Sequence, residues 1–363
     1  MPKKKPTTSE DAGVRIDDAL PRLIRSLETV RGLGAPQRLG IGHFASVIEI
    51  GDNLGLAVTT DGVGTKILIA QMMDRYDTIG IDCVAMNVND LLCVGATPVT
   101  MVDYLAVQEP HDRLLEEIGI GLAEGARRAD INICGGELAQ IRPMVNGVKA
   151  DWGFDLVGTG IGLVALDAVV DGNSIENGDV VLGIASNGLH SNGYSLARKV
   201  LLEQLGLKID SYVPELKGAL GEELLKDTFI YVEEILELLN SDVPVKGLAH
   251  ITSDGFGNLA RLNTSMGFHI NNFSKTNVHD IFHLIQERGS VEDEEMFRVY
   301  NMGIGFCVIV PPNSVSYATS ILSKSGRNII ELGHVDRELD KPVIITEPFR
   351  LFWNKEIKRF EKY

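Results

Sequence analysis

LGLAVTTDGVGTKILIAQMMDRY, residues 54–76, decides the fold class. An apolar, β-branched run (54–60) ends at Asp61, turns through Gly62 and Gly64, and passes by way of Thr65 and Lys66 into an apolar pattern at helical spacing (66–76). Strand, glycine turn and helix in that order are the unit of an α/β or α+β protein. The alternation continues outward with strand-like TPVTMVDYLAV (97–107), helical LLEEIGIGLAEGARRA (114–129), and strand-like INICGG (131–136) and FDLVGTGIGLVA (154–165). DAVVDGNSIENGD (167–179) is polar and rich in turn formers, which puts a domain boundary near residue 167. Beyond it, VVLGIAS and GIGFCVIV (303–310) read as strands, and YSLARKVLLEQL, IYVEEILELLN and SVSYATSILSKSG as helices. The chain thus divides into an N-terminal arm and helix (1–35), an N-terminal α/β domain (36–166), a second α/β domain (167–340) and a surface-packed C-terminal extension (341–363).

Composition narrows the function classes. With 363 residues, 44% of them hydrophobic, the chain can bury a sizeable core. Acidic residues outnumber basic ones 50 to 34, for a formal charge of −16, and no basic stripe with interleaved aromatics occurs, so no nucleic-acid partner is expected. The basic start, Lys3 to Lys5, has no apolar run behind it, and no apolar run is long enough to span a membrane; the expected compartment is the cytoplasm. Cys83, Cys93, Cys134 and Cys307 stand singly in apolar runs and read as small buried hydrophobes.

Three segments carry chemistry. In TTDGVGTK (59–66) the glycines let backbone N–H groups approach phosphate, Lys66 offers a point charge, and Asp61 is a carboxylate for Mg²⁺; the spacing matches no P-loop, and a helix-capping turn is the other reading. GIDCVAMNVNDLLCVGATPV (80–99) sets Asp82, Asn87, Asn89 and Asp90 in an otherwise apolar helical pattern, so they serve a metal–phosphate site or a solvent-facing surface. CGGELAQI (134–141) follows a strand with Gly135, Gly136 and Glu137, either an ordinary turn or a second backbone–phosphate contact. Gly42 and His43 lie in a further glycine-containing loop, LGIGHFASVIEI (39–50).

Together these segments resemble the aminoimidazole ribonucleotide (AIR) synthetase family, the phosphoribosylformylglycinamidine cyclo-ligases. Seven motifs fall in the family's order between about residues 11 and 336: DAGV (11–14), TTDGVGTK, DTIGIDCVAMNVNDLLCVGATPV (77–99), GGE, GDVVLGIASNGLHSNGYSLARKV (178–200), AHIT (249–252) and YNMGIGF (300–306). The resemblance implies an N-terminal domain whose β-sheet forms a homodimer, a C-terminal α/β domain, and a cleft between them. It implies ATP and Mg²⁺ at Gly42, Asp61, Gly62, Gly64, Thr65, Lys66, Asn87, Gly135, Gly136 and Glu137, with Asp61 and Asp90 on the metal. The implied reaction is ATP-dependent closure of formylglycinamidine ribonucleotide to 5-aminoimidazole ribonucleotide, releasing ADP and phosphate, in purine biosynthesis.

The same resemblance gives SNGLHSNG (186–193) a role. A turn-rich segment ahead of a helix offers free N–H groups to an anion, and His190, Ser191, Asn192 and Gly193 become substrate or phosphoryl contacts, with His250 beside them. His190 is the expected proton-transfer or electrostatic residue, because an imidazole ordinarily titrates near neutrality. The expected catalytic set is therefore Asp61, Lys66, Asp90 and His190.

Departures from the family pattern are local. GGELAQIRP carries Leu138, Gln140 and Ile141 where Thr, Glu and Met are usual, and HITSDG carries Ser253 and Asp254 in place of two glycines. Among rivals of the superfamily, a selenophosphate synthetase would want a reactive Cys in the N-terminal loop, whereas the first Cys here is Cys83, and a thiamine-phosphate kinase would want GDDAA where TTDGVGTK stands. A non-catalytic nucleotide-binding relative would be expected to have lost Asp61, Lys66, Asp90 or His190.

Overall fold

The computed structural model describes residues 6–14, 20–30, 32–262, 264–276 and 278–363; Lys3 to Lys5 lie outside them. The N-terminal half contains α1 (Leu20–Leu27), β1 (Gln37–Leu39), β2 (Ser46–Gly51), β3 (Leu54–Gly62), α2 (Ile67–Met73), α3 (Ile79–Leu92), β4 (Thr97–Val107), α4 (Asp112–Arg128), β5 (Asn132–Gln140) and β6 (Phe154–Ala165). Its six strands form one sheet in the order β1-β2-β3-β6-β4-β5. Only β4 and β5 run parallel, because α4 makes the crossover between them; the other pairs are antiparallel.

One face of this sheet carries α3 and α4. Buried residues alternate along β6 and put Leu156, Gly158, Gly160, Gly162 and Val164 beneath the helices. Gly158 allows the close approach, since a Cβ there would lie 2.6 Å from Asn87 Nδ2 and 3.1 Å from Cys83 Sγ. Among the described residues no helix lies on the opposite face: Leu56, Val58, Val157 and Ile161 are half-buried, and Leu163 and Tyr104 are exposed.

The second half contains β7 (Val180–Ala185), α5 (Tyr194–Arg198) running on into a π-helical turn (Lys199–Gln204), the short hairpin β8 (Tyr212–Val213) and β9 (Gly218–Ala219), α6 (Leu220–Leu224), α7 (Val232–Leu239) and β10 (Gly247–His250). It continues with β11 (Gly267–Ile270), α8 (Asp280–Gly289), α9 (Asp293–Val299), β12 (Ile304–Val310), α10 (Val315–Leu322), β13 (Ile329–Asp336), β14 (Val343–Ile345), β15 (Leu351–Asn354) and β16 (Arg359–Lys362). Eight strands form its sheet, β10-β12-β7-β13-β11-β14-β15-β16. Both halves are mixed α/β, as expected, and no helix among the described residues is long and apolar enough to cross a membrane.

The C-terminal segment differs from the expected surface extension. Its strands β14, β15 and β16 complete the second sheet, and Val343, Ile345, Leu351, Trp353 and Phe360 are buried. The alternation of Leu351 and Trp353 inward with Phe352 and Asn354 outward is the period of a strand packed on one side. At the other end, Ser9 N donates to Glu295 Oε1 at 2.6 Å and Arg298 bonds Ser9, which docks the arm on α9.

Candidate active site

Helix α3 organises the space between the two sheets. All of its residues except Asp90 are buried, and each polar side chain on it has a defined partner. Asp82 accepts hydrogen bonds from Lys66 Nζ (2.9 Å) and from the Thr228 N–H (2.8 Å) and hydroxyl (2.7 Å). Ser191 Oγ lies 3.0 Å from Thr228 Oγ1, and Lys66 also donates to the Lys226 carbonyl, so this buried network joins the two halves. Asn89 donates to Phe229 O (2.8 Å) and accepts from Tyr231 N (3.0 Å). Asn87 faces β3, accepting from Asp61 N at 3.1 Å and donating to Asp61 O at 3.2 Å, which pins the backbone that carries Asp61.

These contacts correct the expectation for Lys66. Its ammonium group is fully buried in a 2.7 Å ion pair with Asp82 and does not face an open cleft. Burying either charge alone is costly, so each requires the other. The loop itself turns as its glycines suggest, with Gly64 in the left-handed region (φ 71°), and leaves Thr65 exposed, its hydroxyl 3.1 Å from Ser195 Oγ.

Asp61 and Asp90 are half-buried, beside a fully buried His250. His250 Nδ1 donates to Asp90 Oδ1 at 2.9 Å, leaving Nε2 to accept from Asn89 Nδ2 at 3.5 Å. Burial, together with the nearby Asp90 charge, pushes the Asp61 carboxyl up to about 6; Gly62 N–H, His250 and Arg261 pull the other way. Two neighbouring carboxylates are a donor set suited to a hard cation, and Mg²⁺ needs only one or two carboxylates when phosphate oxygens and water supply the rest.

His190 stands behind this cluster. It is 2% exposed with φ 61°, and neither ring nitrogen has a hydrogen-bond partner among the described residues. Phe229 and Tyr231 flank the ring at 6.1 and 6.3 Å between centroids. Gly305 admits it, because a Cβ there would lie 2.6 Å from His190 Cε1. Burial, then the charges of His250 and Lys66, hold its pKa well below the usual imidazole range. The premise of a near-neutral titration is therefore corrected: the ring is neutral at pH 7. Ser186 and Asn301 lock the surrounding loops, with Ser186 Oγ donating to Asn301 Oδ1 at 3.0 Å and Asn301 Nδ2 to Gly188 O at 2.9 Å. Gly193 adopts φ 79° under the Tyr300 ring, and Asn192 Nδ2 lies 4.0 Å from Met86 Sδ.

Gly42 (φ 116°) and His43 line a cleft of about 770 Å³ together with α1, Asp254, Arg261, Trp353, Lys355 and Lys358. Arg261 links this cleft to the acidic cluster, since it lines the wall and its charge acts on Asp61. Asp254, one of the departures from the family pattern, adopts φ 74°, a conformation that suits the glycine usual there. Gly135, Gly136 and Glu137 are elsewhere, exposed on β5 at the sheet edge opposite β1. Register relates them to Asp61 by one row across the sheet: Gly136, Asp103, Gly158, Asp61. Asp103 escaped the sequence reading because it sits in a strand pattern with no motif; burial raises its carboxyl pKa.

Residues 42–164 match the AIR synthase related protein N-terminal domain, and 176–344 the corresponding C-terminal domain. The phosphoribosylformylglycinamidine cyclo-ligase of Methanothermobacter thermautotrophicus is 46% identical over 312 residues, 86% of this chain and 89% of that one. The chain belongs to the phosphoribosylformylglycinamidine cyclo-ligase family. The Thermococcus gammatolerans cyclo-ligase is likewise 46% identical, over 344 residues covering 91% of this chain and 96% of its own. Among solved structures, thiamine-monophosphate kinase from Stenotrophomonas maltophilia shares the fold at a TM-score of 0.59 and 21% identity, covering 90% of this chain and 95% of that one. The hydrogenase maturation protein HypE in complex with ATP does so at 0.58 and 16%, covering 83% and 84%.

Proposed function

We propose that the chain closes the imidazole ring of 5-aminoimidazole ribonucleotide from formylglycinamidine ribonucleotide, with ATP converted to ADP and phosphate, as a ligase of purine biosynthesis. The observation that carries this reading is the near full-length likeness to cyclo-ligases, joined to a cluster of Asp61, Asp90 and His250 that Arg261 connects to the cleft. ATP is supported by the nucleotide-bound fold relatives, HypE with ATP and a second protein with AMPPCP. Mg²⁺, held by Asp61 and Asp90, would offset the charge of the phosphoryl group in transfer.

The chain's own groups then act by position and charge. The Gly42 loop and Arg261 border the nucleotide cleft. His250, held by Asp90, keeps a fixed tautomer and orientation. Neutral His190 offers one N–H donor and one acceptor from an apolar, water-poor wall, which suits gripping the formyl amide rather than delivering a proton as imidazolium. Lys66 acts through Asp82 and Thr228, holding the Ser191 loop against α3.

A cytoplasmic homodimer completes this reading. Glu137 is paired with Tyr104, so its side chain lies on the uncovered face of the first sheet, away from the Gly42 loop. A second copy seated on that face would cover its apolar side chains and bring Glu137 to a site. Tyr104→Glu is expected to yield monomers by analytical ultracentrifugation and to lose activity.

ADP release and aminoimidazole formation, scored together with Mg²⁺-ATP and formylglycinamidine ribonucleotide, test the function. Coupled formation of both products, lost in Asp61→Asn and His190→Ala, is the expected outcome. An ATP-binding protein without substrate-dependent turnover would overturn it, leaving another substrate or a non-catalytic role.

A further inference from the structure

We propose that the second sheet carries a divalent-metal site, of the kind Zn²⁺ occupies, formed by His269, His334 and Asp336. It is separate from the acidic cluster at Asp61 and does not depend on the function proposed above. The strand register builds it. His269 of β11 is directly opposite His334 of β13, and Asp336 lies two residues beyond His334, on the same face. Gly267, opposite Asp336, has no side chain to compete with the carboxylate. One ligand atom from each of the three residues lies within 4.8 Å of the others, and all three side chains are half-buried while Phe268, Ile270 and Val335 between them point into the core.

The donor chemistry selects the cation. Two imidazoles and one carboxylate suit a borderline transition ion such as Zn²⁺ far better than Mg²⁺ or Ca²⁺, which prefer all-oxygen shells. Zn–N and Zn–O bonds of roughly 2.0–2.2 Å place ligands about 3.5 Å apart, so binding needs each pair of ligand atoms to close by at most about 1.3 Å, a movement half-buried side chains can make. Supporting bonds already orient them: Thr346 Oγ1 lies 3.1 Å from His269 Nε2, and Glu338 N donates to Asp336 Oδ1 at 2.9 Å. Such outer contacts fix ring and carboxylate geometry in metal sites. Three protein ligands leave a position for water, and the ion would fasten β11 to β13 in the middle of the eight-stranded sheet.

The test uses the full-length protein, chelator-treated and then kept in saturating Mg²⁺ so that carboxylate-only sites are occupied. Isothermal titration with Zn²⁺ is expected to give one ion per chain, with affinity falling on the order of 100-fold in His334→Ala and His269→Ala and less in Asp336→Asn. Thermal unfolding should shift upward with Zn²⁺ in the parent protein and not in the variants, whose circular dichroism should be unchanged. Co²⁺ absorption supplies a readout that needs no variant, since nitrogen ligation in a four- or five-coordinate site gives intense visible bands. Absence of stoichiometric Zn²⁺ binding overturns the proposal, as does a Co²⁺ spectrum of the hexaaqua type. Zn²⁺ binding of equal strength in His334→Ala also overturns it, locating the ion on other groups.

Discussion

Asp82 and Asp90 lie about two turns apart on the same helix, yet their surroundings make them different chemical objects. Asp82 is fully buried and its carboxylate is taken up by Lys66 and Thr228. Asp90 is 13% exposed, hydrogen-bonds His250, and lies close enough to a second carboxylate, Asp61, for its charge to raise that group's pKa. A charge whose partners all come from the protein holds the protein together. A charge left short of partners, beside another of the same sign, is prepared for something from outside.

The largest test of this contrast is on the satisfied side. Removing one member of the buried pair leaves an uncompensated charge, and Asp82→Ala or Lys66→Ala should cost about 3–5 kcal/mol in urea unfolding. The double change Lys66→Met with Asp82→Leu should recover most of that loss, because apolar groups of similar volume need no partner. If both single variants keep the parent's stability, the pair is not what joins the two halves.

The opposite sign is expected at Asp61. Its folded pKa, raised from 3.8 to about 6, means that the native state binds the proton more tightly than the unfolded chain. Stability therefore falls as pH rises through the window from about 4 to 6, and the ionised group costs up to about 3 kcal/mol above it. Asp61→Asn should accordingly stabilise the ligand-free protein at pH 7.5 by up to that amount while abolishing turnover. Stability lost together with activity would place Asp61 among the structural residues.

The same shift sets a pH dependence. A metal-binding Asp61 must be ionised, so kcat/KM in excess Mg²⁺ should decline as pH drops below about 6 and level off above 7. Neutral His190 should add no second inflection between pH 6 and 8. The smallest effect is expected at Thr65, whose exposed hydroxyl meets Ser195; Thr65→Ala should change stability by less than about 0.5 kcal/mol, with any effect appearing in KM for ATP.

The length of a strand decides how legible it is in the sequence. Strands β4 and β6 match their apolar runs to the residue, because a strand of 11 or 12 residues with turn signals on both sides leaves little freedom in its ends. Strands β14 to β16 have no signature of their own, because runs of three or four residues among charges lack the length to separate a strand from a decorated tail. At the site, the motifs singled out Asp61 and Asp90, which the structure brings near one another. Lys66 pairs with Asp82 where the motif suggests phosphate, since a Lys after a glycine turn looks alike in either setting. Arg261 and Asp103 carried no local signal.

The sequence by itself determined the alternation of strands and helices, the division into two α/β halves, the family, and the residue types gathered near the cleft. These follow from local periodicity, turn chemistry and motif order, which are properties of neighbouring residues. Only the tertiary structure decided which of α3's polar groups are used up internally and which stay available, that His190 is neutral, and that His269 faces His334. Those outcomes depend on burial and on partners brought from distant parts of the chain, and a side chain's charge and availability are set by what surrounds it in space.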